Sequence, residues 1–71
     1  MKQKPSIGRI VHVVHDGNHL PAIIGCLHSD ICVSTTMFNC FGAPAENKTS
    51  VVYDDSPTPA ENTWHWPERV D

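Results

Sequence analysis

The run Ile7-Gly8-Arg9-Ile10-Val11-His12-Val13-Val14-His15 narrows the folds open to this chain more than any other stretch. It is dense in β-branched residues, whose stiff side chains suit a pleated surface better than a helix. Asp16-Gly17-Asn18 follows at once. Gly and Asn tolerate positive φ and Asp bonds its own backbone, so the chain is expected to reverse there. Leu20 to Leu27 then reads as a second strand. Pro21 has no N–H for a ladder and belongs at the strand's start or on an open edge. Gly25 marks a bulge or bend, the device that lets a sheet curl. After a short turn at His28-Ser29-Asp30, residues 31–39 alternate with period two. Ile31, Val33, Thr35 and Met37 share one face; Cys32, Ser34, Thr36 and Phe38 share the other.

The second half is less regular. Residues 40–50 read as a loop, because Gly42, Pro44 and Asn47 all interrupt regular structure. Val51-Val52-Tyr53 reads as a short strand, and residues 54–62 as an acidic, Pro-rich loop held extended by Pro57 and Pro59. Thr63-Trp64-His65-Trp66 is the last strand, stopped by Pro67. Nothing has the period of a helix beyond one turn at Pro59-Ala60-Glu61-Asn62. About five short strands with closely spaced turns predict an all-β fold: a small antiparallel SH3-like or OB-like barrel or rolled sheet. Closure removes unpaired edges that would otherwise aggregate. The expected layout is a polar lead-in over 1–6, a single β domain over 7–68 and a short tail over 69–71.

A domain of 71 residues buries only about 60% of the surface its unfolded chain exposes, so it needs extra burial from somewhere. Cys26, Cys32 and Cys40 are an odd set that reads as thiols rather than a disulfide frame. Residues 1–5 carry positive charge with no apolar run behind them, which reads as no signal peptide, and no segment has the apolar length of a membrane helix. Homo-oligomerisation is therefore the expected source of burial. The net charge of −3, with Lys2, Lys4, Arg9, Lys48 and Arg69 scattered, disfavours general nucleic-acid binding, which needs a basic stripe. Single Arg residues remain suited to one small phosphate ligand.

Two segments carry a resemblance. Gly8-Arg9-Ile10-Val11-His12-Val13-Val14 and Thr63-Trp64-His65-Trp66-Pro67-Glu68 resemble a group of short, uncharacterised tailed-phage proteins. Those open with a Gly-Arg-Ile-Val-His-Tyr-type strand and close with Gly-Thr-Trp-His-Trp-Pro-Glu. This chain departs from the group at Val13, where the group has Tyr, and at Asn62, where it has Gly. The resemblance implies a phage origin and no particular activity; with no signal peptide read, the host bacterial cytoplasm is the expected location. By analogy of size and fold class it brings in small β-rich phage oligomers that sequester nucleotide-derived immune signals.

Both tryptophans lie one residue apart. In a strand they share a face and His65 takes the other. Two uses compete: core filling, and an aromatic platform on which a base stacks. The candidate ligand-binding set is Trp64, Trp66, His65, Arg9 and His12, with Phe38 and Asn39 where the alternating strand gives way to the loop. Arg9 and Arg69 are suited to bidentate phosphate contacts, and His12 and His65 to hydrogen bonds with phosphate or ribose. His15 and His19 flank the turn and are expected to be solvated. The histidine and cysteine spacing does not match a structural zinc site, so no metal or cofactor is expected. No phosphate loop, dinucleotide fingerprint or nucleophile elbow is present, so the chain reads as non-enzymatic. The leading expectation is a homo-oligomeric phage protein that sequesters a small nucleotide-like ligand at subunit interfaces. The alternatives are a minor virion or decoration protein, and a small barrel adaptor for a host protein.

Overall fold

The computed structural model describes residues 4–39 and 41–67; Cys40, Glu68 and Arg69 lie outside the described residues. The strands are β1 (Ile10–His15), β2 (Asn18–Leu27), β3 (Cys32–Phe38), β4 (Pro44–Tyr53) and β5 (Thr63–His65). They form a closed barrel in the order β1-β2-β3-β4-β5, with no helix among the described residues.

Turn chemistry sets the first hairpin. His15 pairs with Asn18 across Asp16 and Gly17, at φ 51° and 77°, the two positive values that a type I′ turn demands. Counting back from that turn, His12–Pro21 is a non-hydrogen-bonded pair. The donor that Pro21 lacks therefore faces away from β1, and the β3 ladder begins only at Ala22. A bulge between Ile24 and Cys26 falls at Gly25, as the sequence anticipates. On β3, Val33, Thr35 and Met37 are buried and the residues between them half-buried, which is the alternation read from the sequence.

Two features differ from the sequence reading. Residues 44–50 are strand rather than loop: Pro44, Glu46, Asn47 and Lys48 pair with Phe38, Met37, Thr36 and Thr35, making β4 run from Pro44 to Tyr53. The irregularities that suggested a loop are absorbed as two register shifts. One lies opposite Val33 and Thr35, where Ser50 takes φ 58°, and the other lies beside Pro44. The second difference is that β4 and β5 pair in parallel. Geometry requires this: a meander of five strands closed on itself cannot alternate direction all the way round, so one neighbouring pair must run the same way. A parallel pair cannot be joined by a tight turn, and residues 54–62 form the crossover that joins it.

Inside the barrel, Val11, Val13, Ala22, Ile24, Val33, Met37, Val51 and Trp64 form one buried cluster, with Leu20, Tyr53 and Trp66 packed at its margin. Trp64 is wholly buried, and its indole N–H donates to the Ile31 carbonyl at 2.9 Å, so its one polar atom is satisfied. β5 closes the barrel against β1 through His12–His65 and Val13–Trp64.

Candidate functional site

The crossover is built by its own short hydrogen bonds. The Asp54 carboxylate accepts from the backbone N–H groups of Ser56 and Ala60, both at 3.0 Å. Those donors, Ala60 first, hold the Asp54 carboxyl below the ordinary Asp range, helped by the charge of nearby His65. At the far end, Asn62 takes φ 63° and its N–H donates to the Val14 carbonyl at 2.9 Å. Asn is, after Gly, the residue that best tolerates that region. Glu61 accepts from the Asp16 N–H at 2.7 Å and the Gly17 N–H at 3.3 Å. That ties the crossover to the first hairpin, and these donors, Asp16 first, hold the Glu61 carboxyl low as well.

The crossover lies against the outer face of the barrel. On β1 the inward residues Val11 and Val13 leave His12 and Val14 pointing outward. Val14 is nevertheless only 4% exposed and His65 only 7%. Between the crossover and the sheet lies a cleft of about 290 Å³ lined by His19, Tyr53, Asp55, Ser56, Pro57, Pro59, His65 and Trp66. Tyr53 donates its hydroxyl to Asp55 at 3.1 Å. Partial burial, and then the Asp55 carboxylate, push that hydroxyl above its ordinary value.

Trp66 stands at the cleft half-buried, edge-on to Trp64 with centroids 5.5 Å apart. The Arg9 guanidinium lies over its ring, 4.9 Å from the centroid, a cation–π contact. The indole N–H of Trp66 is buried and meets no acceptor among the described residues. Beside it, His65 contacts two further imidazoles edge-on: His12 at 5.7 Å and His19 at 4.8 Å between centroids.

Of the expected site residues, His65 and Trp66 line the cleft; Arg9 and His12 stand behind that lining, Arg9 over the Trp66 ring and His12 against His65. Trp64 is core. Phe38 and Asn39 stand apart from the cleft lining. Phe38 pairs with Pro44, and the Asn39 side-chain oxygen accepts from Phe41 and Ala43, a turn-building role. The sequence reading missed Tyr53, Asp55, Ser56, Pro57 and Pro59 as site residues, and placed His19 in solvent rather than at a cleft. The available signal was the strand count: closing five strands requires a long crossover, and a Pro-rich loop is the segment fitted to it.

No family model, curated protein or solved structure matches this chain.

Proposed function

We propose that this protein is a non-enzymatic binding protein whose outer-face cleft takes a small nucleotide-like ligand. The observation that carries this reading is the Trp66 indole. It is half-buried at the cleft, has a guanidinium over its ring, and holds a buried N–H with no acceptor among the described residues. Leaving such a donor unsatisfied costs about 1–3 kcal/mol, which an acceptor recovers once a small shift of the side chain opens the N–H to the cleft. A base stacking on Trp66 contributes roughly 1–3 kcal/mol. Asp55 and Ser56 are suited to ribose hydroxyls, and Arg9, His19 and His65 to phosphate oxygens.

Size limits what one subunit holds. A volume near 290 Å³ sits at the bottom of the range for small-molecule sites, about 300–1,000 Å³. It admits a base and sugar, and a larger signal needs a second surface. Ile10 and Ile23 are opposite one another on the same outer face as His12, 55% and 39% exposed. That apolar pair favours a homo-oligomer in which a second subunit borders the site. With the resemblance to tailed-phage proteins, this supports a sponge that holds a nucleotide-derived host immune signal in the bacterial cytoplasm.

Calorimetry against mononucleotides, cyclic ADP-ribose-type signals and cyclic oligonucleotides tests the reading. Binding by at least one class, lost in Trp66→Ala with the fold intact, is the expected result. A folded protein that binds none of them contradicts it, and co-purification with virions would favour a particle component.

A further inference from the structure

We propose that His12, His19 and His65 form a three-histidine site for a divalent transition metal, zinc above all. One ligand nitrogen from each ring lies within 4.8 Å of the other two. Three imidazole nitrogens bound to one tetrahedral zinc at about 2.0–2.1 Å stand roughly 3.3 Å apart. Closing that gap calls for a movement of about 1.5 Å or less between ring nitrogens, for which the exposed His19 side chain has room. Two of the three ring separations are of the right size: centroids of imidazoles sharing one zinc stand roughly 5 Å apart, and those from His65 are 5.7 and 4.8 Å. The rings meet edge to face at 83° and 69°, so none is stacked flat against His65.

The sheet, not sequence spacing, assembles this group. His12 and His65 are direct partners across β1 and β5. His19 lies on β2, opposite Val14 and diagonal to His12, within reach of a long side chain. All three point outward, because Val11, Val13, Leu20 and Trp64 on the same strands face the core. Barrel closure therefore fixes the relative positions of three ligands from distant parts of the chain, the pre-organisation that a metal site requires. Imidazole donors suit zinc, copper, nickel and cobalt. Three protein ligands leave a fourth position for water or another oxygen donor. His19 and His65 also line the cleft, so that position adjoins it. The second cluster of potential ligands, His15, Asp16 and Glu61, has a simpler explanation, since Glu61 caps the hairpin turn.

The inference shares His19 and His65 with the ligand reading, but its test needs metal alone, so the two succeed or fail separately. Tag-free protein, stripped with chelator and dialysed, is titrated with Zn²⁺ by calorimetry and with Co²⁺ by visible spectroscopy. The expected result is one metal per chain and a tetrahedral cobalt spectrum with no thiolate charge-transfer band. The missing band separates the histidines from Cys26 and Cys32, the free thiols among the described residues. Because His65 is buried, its removal also perturbs the fold, so the decisive variant is the exposed His19→Ala. It should fold as wild type and lose at least about 100-fold in zinc affinity, since even outer-shell partners of metal ligands are worth about 10–100-fold. No stoichiometric binding, a thiolate band, or unchanged affinity in His19→Ala overturns the proposal.

Discussion

At the level of single residues, two tryptophans one position apart carry different burdens. Trp64 is wholly buried and its N–H is bonded inside the barrel. Trp66 lies past the end of β5, packed on the core margin and facing the cleft. Truncating a buried Trp costs about 3–5 kcal/mol, against a total stability of about 4–10 kcal/mol expected for a chain this long. Trp64→Ala should therefore be largely unfolded at 37 °C by circular dichroism. Trp66→Ala should stay folded, with its thermal midpoint lowered by a few degrees. Equal loss of structure in both variants would contradict the division. The sequence made the Trp pair visible but not its division, because alternation alone places both indoles on one face. What separates them is where β5 ends, and that depends on the partners β1 and β4 offer.

At the level of elements, the crossover over residues 54–62 is the part whose chemistry is most easily tested. Asp54 and Glu61 both titrate below their ordinary values, through backbone donors at Ala60 and Ser56 and at Asp16 and Gly17. Nearby His65 acts on Asp54; His15 and Lys48 act on Glu61. A carboxyl lowered in the folded state stabilises the fold fully above its unfolded value, about 3.9 for Asp and 4.3 for Glu, and loses that contribution as pH falls through the folded value. Thermal melts should thus show stability falling below about pH 4. The double variant Asp54→Asn/Glu61→Gln should be less stable at pH 7 and show a flatter acid limb. An acid limb unchanged in that variant would contradict this account of the crossover. The elements also show where the sequence was readable. β1 to β3 announce themselves by β-branched runs, an Asp-Gly turn and clean alternation. Residues 44–50 do not, because every one of them but Lys48 is exposed and no apolar period marks them. They become strand only because β3 offers a partner.

On the scale of the whole molecule, the all-β class and the small barrel of about five strands were both legible. The site was legible only in part. Arg9, His12, His65 and Trp66 belong to the two end motifs and meet because those motifs pair. His19 and the crossover residues join them through register and topology, which one strand's pattern does not contain. The exposed Ile10–Ile23 pair on the same face leads to a prediction about assembly. Sedimentation should show an oligomer at micromolar concentration that Ile10→Lys/Ile23→Lys converts to a folded monomer. A wild-type monomer would remove the shared-interface form of the site while leaving the cleft itself.

The outer-face cleft as a binding site is the central claim, and the two indole N–H groups offer its most direct readout. In ¹H–¹⁵N spectra of ¹⁵N-labelled protein, the Trp64 indole proton should exchange slowly with solvent, since it is bonded within the core. During titration with the nucleotide panel, the Trp66 indole resonance should shift together with the amides of Tyr53, Asp55, Ser56 and His65, while the Trp64 resonance stays nearly fixed. Shifts confined to the Phe38–Asn39 end, or a Trp66 resonance unmoved by every ligand at millimolar concentration, would contradict the account.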